Sequence, residues 1–398
     1  MKRLILSPDV FLWRSNDQCL IYNSLARKGF VMQLDESLLG LVSHLQNPEA
    51  LYSIILDSNL LASQNVTHFI TRVLEERCGE VVEDDPDITL PMMPILKIQD
   101  DCTYFKWRYE QGVTGDTIDN IHNIVINVGS EFGDDVIAKQ TVYPVKKSDK
   151  RLNLKDVTKF VRNVKSSVYL SEISIVGDVD VLLEDNFIER IKTISPIRFY
   201  INVEFLQKNI NLIETLNNYG SLTLLVRASK VTDSVIDFLI LNRDNIDNVT
   251  LLFETMNEYE ELEQLFMKTP IENSFEFIPI FNGTNANFMH EILDFDIAEL
   301  LTDGPDKRVV FLNQTLNPYD FGKLYILPSG DVFSNMCSEA MGRINDLPSV
   351  LLIQEFLSHK SWLKTRDSSA CGSCIFRYLC PSISNYEQLM NTLFCNLK

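Results

Sequence analysis

Between residues 118 and 300 the chain repeats one pattern six times, a short continuous apolar run followed by an amphipathic stretch. The apolar runs are 121–128, 173–176, 197–203, 222–226, 249–253 and 275–280. Helical periodicity fills the intervals near 154–165, 184–193, 207–218, 231–242, 257–268 and 286–300. Strands that are apolar at successive positions have both faces covered, which is the mark of a parallel sheet. Helical connections between such strands cross over right-handed and cover the sheet. Six β/α units are fewer than the eight of a closed barrel. The pattern therefore predicts an α/β architecture, a partial barrel or curved open sheet over residues 118–305.

Residues 1–96 read differently. Three β-rich runs at 10–14, 19–23 and 30–34 are separated by Ser15-Asn16-Asp17 and Arg27-Lys28-Gly29. Leu38, Leu41, Val42 and Leu45 then recur at helical spacing, with Asp35 or Ser37 as N-cap. Pro48 suits the first turn of a second helix, expected through residue 56. A third helix is expected over 65–77, with Val66, Phe69, Ile70, Val73 and Leu74 on one face and Gly79 as C-cap. Three strands followed by three helices predict a winged-helix-like α+β domain. The acidic, proline-containing stretch 83–94 reads as a linker. At the other end, residues 306–398 open with a hairpin, 323–327 and 331–334 around Pro328-Ser329-Gly330. A helix over 349–360 follows.

With 398 residues, 45% of them apolar, the chain has room for two or three domains with their own cores. Its net charge of −19 argues against a nucleic-acid partner and against anionic membrane surfaces. No apolar run approaches the roughly 20 residues that span a bilayer. Met1-Lys-Arg-Leu-Ile-Leu-Ser-Pro8 starts basic, but Pro8 and Asp9 interrupt it too early for a signal peptide. The expected location is the cytoplasm, where clustered cysteines are reduced and bind metal rather than pair as disulfides.

Four of the eight cysteines lie in the last 28 residues: Cys371, Cys374, Cys380 and Cys395. The two-residue turn of Cys371-Gly-Ser-Cys374 lets two sulfurs point to one metal, and the two later cysteines complete a four-sulfur shell. Four thiolates suit either Zn²⁺ or an iron–sulfur cluster. A shell without an open position is structural or electron-transferring rather than Lewis-acidic. Cys19, Cys78 and Cys102 are scattered and read as packed thiols. The five histidines form no HExxH motif, and no GxSxG, Walker A or GxGxxG motif occurs. Glu131, Asp134, Asp135, Asp178 and Asp180 follow the first two strands of the repeat, on the rim where α/β sites lie.

The order of these parts resembles a known enzyme group. Leu324-Tyr-Ile-Leu-Pro-Ser-Gly330-Asp-Val-Phe, Gly342-Arg-Ile344, a helix, Trp362 and CxxC-x5-C resemble a SPASM domain, the auxiliary-cluster module of peptide-modifying radical SAM enzymes. That family's pattern is C-x(9–15)-G-x4-C, a gap, C-x2-C-x5-C-x3-C, a gap and a final C. Cys371, Cys374, Cys380 and Cys395 match the set that resembles the second auxiliary cluster. Elsewhere the chain departs from it. Ser384 stands at the x3-C position, Asn335 stands where G-x4-C ends, and no cysteine lies 9 to 15 residues before Gly330. Cys337 is two residues off register. The resemblance implies one metal site rather than two, a [4Fe–4S] cluster or alternatively zinc.

The six β/α units are similar to the partial (β/α)6 barrel of radical SAM enzymes. In that family a CxxxCxxC loop after the first strand binds the cluster that cleaves S-adenosylmethionine. The corresponding loop, Asn127-Val-Gly-Ser-Glu-Phe-Gly-Asp-Asp135, has no cysteine, and none lies between Cys102 and Cys337. The GGEP position reads Val176-Gly-Asp-Val-Asp180. No S-adenosylmethionine cleavage is expected of such a loop. The N-terminal unit resembles a PqqD-type RiPP recognition element, in which a leader peptide adds as a strand to the sheet edge. Here that edge is expected at Phe30, Val31, Met32, Gln33 and Leu34, beside the helix that begins near Ser37. The whole is similar to pseudo-radical-SAM SPASM proteins. That similarity implies a non-catalytic accessory protein of ribosomal peptide maturation, binding a precursor leader and a radical SAM maturase. Two alternatives stand beside it: an enzyme of another class using the acidic rim, and an electron-transfer partner of the maturase.

Overall fold

The computed structural model describes residues 2–15, 17–92, 101–113, 115–130, 139–140, 152–268, 274–358 and 361–396. The N-terminal part holds six strands, not three: β1 (Lys2–Leu6), β2 (Val10–Ser15), β3 (Gln18–Asn23), β4 (Lys28–Gln33), β5 (Ser53–Leu56) and β6 (Gly79–Glu83). Its helices are α1 (Glu36–Leu45), α2 (Ser58–Leu61) and α3 (Gln64–Glu75). The strands form two antiparallel sheets, β2-β3-β4 and β5-β1-β6.

The helix expected from Pro48 is a single 3₁₀ turn, Pro48–Ala50. Leu51 and Tyr52 take left-handed backbone (φ 48° and 56°), which ends the turn. The β-branched pair Ile54-Ile55 then joins β1 as a strand, with Leu4 opposite Ile54. Gly79 does not cap α3. It begins β6, where a Cβ would lie 2.3 Å from the Ile5 carbonyl oxygen, so only glycine allows this approach. Arg77 takes the left-handed turn instead (φ 56°).

The six apolar runs form the strands β7 (Asn123–Gly129), β8 (Glu172–Gly177), β9 (Ile197–Asn202), β10 (Gly220–Arg227), β11 (Asn248–Phe253) and β12 (Ser274–Pro279). They pair in sequence order and in parallel. After them come β13 (Lys323–Ile326), β14 (Asp331–Phe333) and β15 (Gly342–Arg343). β13 adds in parallel to β7, with Leu324 opposite Ile124, and β14 and β15 continue antiparallel. The result is one open nine-stranded sheet, a mixed α/β architecture built on a large parallel array. Gly330 (φ 82°) closes the β13–β14 turn.

Alternation sorts the side chains. Ile124, Ile126, Ile173, Ile175, Phe199, Ile201, Leu224 and Leu251 point to the covering helices and form the main core. Each such side chain contributes roughly 1.5–3 kcal/mol on burial. Val125, Val176, Tyr200, Leu225, Tyr325, Leu327 and Met336 point the other way and pack on one another. This second apolar cluster lies on the face of the sheet away from the main core. Trp362, fully buried, donates its indole N–H to the Lys323 carbonyl and anchors the C-terminal segment to the sheet. Among the described residues no helix is long and apolar enough to cross a membrane.

Sheet β2-β3-β4 is covered on both faces. Val10, Leu12, Ile21 and Phe30 meet α1 and α3. Phe11, Trp13, Leu20 and Tyr22 meet Ile375, Phe376, Leu379 and Cys380. The cysteine segment therefore docks against the N-terminal sheet, although more than 350 residues of chain separate them. Ser15 Oγ donates to the Ser373 carbonyl across this contact (2.8 Å), and Tyr22 Oη donates to that of Pro305 (2.7 Å).

Candidate metal centre and peptide edge

The CxxC segment is a tight turn. Cys374 N–H donates to the Cys371 carbonyl (2.8 Å) and Cys371 N–H to Ser369 Oγ (3.1 Å). A Cβ at Gly372 would stand 2.8 Å from the Asp367 carbonyl oxygen, so glycine is required there. Arg377 fastens the turn from outside, donating from Nε to Asp367 (2.6 Å) and from Nη1 to the Cys374 carbonyl (2.9 Å). Cys380 is held by its carbonyl, which accepts from Asn313 Nδ2 (3.0 Å). Cys395 pairs with Phe295 in an isolated parallel bridge, and Asn396 donates to Asp296 beside it. Sequence spacing alone does not place Cys395; this pairing of the tail returns it to the group.

All four are free thiols, and Cys374, Cys380 and Cys395 pack in one cluster. Burial pushes the Cys380 thiol up to about 12; Arg366 opposes this, while Cys374, Cys371 and Cys395 add to it. Cys374 is also raised, by burial and then by Cys371 and Cys395. Negative charge on any one sulfur is thus felt by the others, the repulsion that a bound cation relieves. Among the described residues no three His, Cys, Asp or Glu side chains stand close enough together to hold a metal. The donor chemistry nevertheless fits a thiolate-bound group. Arg366 Nη1 donates to Cys371 Sγ (3.5 Å), the kind of N–H···S contact that tunes a cluster sulfur.

Arg366 is a residue the sequence reading missed. It is 4% exposed and forms a two-pronged ion pair with Glu387 (3.1 and 3.2 Å). Its Nε donates to the Pro381 carbonyl. Glu387 in turn closes a capping box with Ser384 at the start of the helix Asn385–Met390. On the far side of Arg366 lies an oxygen-rich cluster. Asn335 Nδ2 donates to Asp320 Oδ1 (2.7 Å) and to Asn385 Oδ1 (2.6 Å), and Asn317 Nδ2 donates to Asp320 Oδ2 (3.2 Å). Burial pushes the Asp320 carboxyl up to about 7, against the hydrogen bond from Asn335 and the charge of Lys323. The signal for Asp320 was present in the sequence: nine residues separate it from Gly330, the spacing of a ligand position in the resembled pattern.

On the rim, Glu131, Asp134 and Asp135 lie outside the described residues. Asp178 accepts from Ser130 Oγ (2.7 Å), which ties the residue after β7 to the residue after β8, and Asp180 is exposed. Cys337 lies apart from the four-thiol cluster, its Sγ 3.4 Å from the Lys139 carbonyl.

The N-terminal edge was expected at residues 30–34. β4 is an outer strand of its sheet. Leu34 N–H bonds to the Asp17 carbonyl, so alternate residues back from it face β3. Gly29, Val31 and Gln33 therefore turn their main-chain groups outward. Gly29 N–H is taken by the Leu301 carbonyl (3.0 Å), whereas those of Val31 and Gln33 have no partner among the described residues. On the opposite edge Tyr52 Oη and Gln46 Nε2 donate to the Val10 and Leu12 carbonyls of β2. Phe30 is core, stacked edge-on against Phe69 and covered by the Arg72 guanidinium, both from α3. Met32 is half-buried on that same side, and Leu34, just past the strand, packs partly buried against the same core.

No family model matches the chain, and no curated protein matches it. Solved structures similar at low identity include the following three. Streptococcus suis SuiB bound to precursor peptide SuiA is 10% identical over 95% of this chain and 94% of that one, with a TM-score of 0.40. SuiB bound to S-adenosylmethionine gives 11%, 96%, 94% and 0.37 for the same measures. BtrN in complex with AdoMet and 2-DOIA is 12% identical over 60% of this chain and 85% of its own, with a TM-score of 0.26. These likenesses are remote, and the functional reading rests on this chain's own residues.

Proposed function

We propose that the protein is a non-catalytic accessory of ribosomal peptide maturation that binds a precursor leader as an added strand on β4. The observation that carries this reading is the edge itself: the outward main-chain N–H groups of Val31 and Gln33 have no partner among the described residues, while Tyr52 and Gln46 occupy two carbonyls of the β2 edge. An open edge beside a helix is where an extended peptide gains main-chain bonds. On this reading residues 1–96 bind the peptide. Residues 118–305 are a scaffold, with Val125, Val176, Tyr200 and Leu225 in one apolar cluster on its sheet. Residues 306–398 carry one Cys371–Cys374–Cys380–Cys395 metal site, a [4Fe–4S] cluster or zinc. That site sits against the recognition sheet and stiffens it, and a radical SAM maturase is the partner to which the peptide is presented.

The test is leader binding by fluorescence anisotropy, with the precursor leader encoded nearest this chain's gene as probe. Wild type should bind at micromolar concentration. Val31→Pro removes one outward N–H and no ladder bond, so affinity should fall about tenfold or more with the fold intact. Absence of micromolar binding, or equal binding by Val31→Pro, ends the reading.

A further inference from the structure

A cavity of about 350 Å³ lies between β12, β13 and the segment 381–394, directly behind the Asp320–Asn335–Asn385 cluster. That is the size range of small-ligand sites. In the pattern this chain resembles, Asp320, Asn335 and Ser384 stand at cysteine positions of the set that has lost its sulfurs. The structure brings the first two into hydrogen bond, and Asp320 and Ser384 line the same cavity.

The lining defines what fits. Phe277, Phe295, Tyr325 and Phe394 offer ring faces and edges. Arg366 and Glu387 also line it, but each neutralises the other, so neither offers a charge to a ligand. Asp320, 2% exposed, is the remaining acid, and Lys323 and Lys364 already act on it. An added cation would therefore be repelled, and an anion would meet Asp320 and Glu387 without a free counter-charge. A neutral ring suits the walls. Near the Asp320 end, Asp320 accepts one bond at each oxygen, and Asn385 Nδ2 donates to nothing among the described residues. A hydroxyl on that ring can bond with both, donating to Asp320 and accepting from Asn385.

We infer that this cavity is a binding site for an uncharged phenolic group, held between the aromatic walls with its hydroxyl at Asp320 and Asn385. The chemistry is that of a tyrosine side chain or of a free phenol.

The probe is p-cresol, titrated into the full-length protein and followed by ligand-observed NMR, with toluene as the ring without the hydroxyl. p-Cresol should bind saturably and about tenfold more tightly than toluene, the worth of one or two net hydrogen bonds. Leu293→Trp, at a half-buried wall position, should weaken both about tenfold or more by filling the space, with an unchanged melting temperature. Asp320→Leu should bring the two ligands within about twofold of each other; if it does not fold, Asn385→Leu makes the same test at a half-exposed position. A Gly-Tyr-Gly peptide that competes with p-cresol assigns the site to a peptide side chain; a peptide that does not compete assigns it to a free phenol. Absence of saturable p-cresol binding, or binding that Leu293→Trp leaves unchanged, overturns the site. Neither result bears on the β4 edge, so this inference and the leader-binding reading fail separately.

Discussion

The two sides of Arg366 are built from the same C-terminal segment and solve opposite problems. On one side burial and the neighbouring sulfurs raise the proton affinity of Cys374 and Cys380, against the charges of Arg377 and Arg366. On the other, Asp320, Asn335, Asn317 and Asn385 bond to each other directly. A cluster of thiols depends on an outside cation to become a rigid unit, whereas amides and a carboxyl close a network from within. A network of polar side chains thus ties remote segments together without a metal, with a cavity beside it.

The sulfur side carries the largest expected effect. Anaerobically purified protein should hold about four irons and four sulfides, or one zinc, per chain. Cys371→Ser/Cys374→Ser should hold neither and lose more than about 5 kcal/mol of stability, since metal binding adds directly to folding free energy. A metal-free wild type as stable as the double variant would erase the distinction between the two sides.

Arg366 joins the two sides and gives the next largest effect. Arg366→Met strands Glu387, whose side chain is 5% exposed, without its partner. Uncompensated buried charge typically costs about 3–5 kcal/mol, to be read by chemical denaturation. A loss below about 1 kcal/mol would mean that the pair does not couple them.

The smallest effect belongs to the oxygen side. Asp320 is raised from 3.8 to about 7 by burial. A carboxyl that holds its proton more tightly when folded favours the folded state below its unfolded value and loses that contribution as pH rises through about 7. Each tenfold difference in proton affinity between the folded and unfolded chain is worth about 1.4 kcal/mol. Between pH 5 and pH 8, wild type should therefore lose roughly 2–3 kcal/mol relative to Asp320→Asn. Parallel pH profiles for the two proteins would show that Asp320 ionises freely and that the network is not dry.

Several elements were legible in the residues. The six strands β7 to β12 and the hairpin β13–β14 fall within a few residues of their apolar runs, because parallel strands buried on both faces leave an uninterrupted signal. β1, β5 and β6 were not legible. Ser53–Leu56 follows a proline turn that reads as a helix start, and what makes it a strand is its partner β1, some fifty residues earlier. Gly79 looked like a helix cap locally and proved to be a contact glycine, because the atom it avoids, Ile5 O, belongs to another strand.

At the candidate site the division is similar. The CxxC spacing identifies a thiol pair without any structure, since a two-residue turn fixes the geometry by itself. Arg366 carries no local mark, and its importance comes from Glu387, twenty-one residues on, and from being buried with it.

Residue type, and spacing within a turn or a strand, were enough for the class of fold, the Cys371–Cys374 thiol pair and the absence of sulfur from the loop after β7. Three other outcomes came from tertiary packing. The thiols lie against the N-terminal sheet, β4 turns the Val31 and Gln33 N–H groups outward, and Asp320 and Asn335 close on each other beside a cavity. Those outcomes depend on which distant surfaces exclude water together, and burial between remote segments is written in no single stretch of chain.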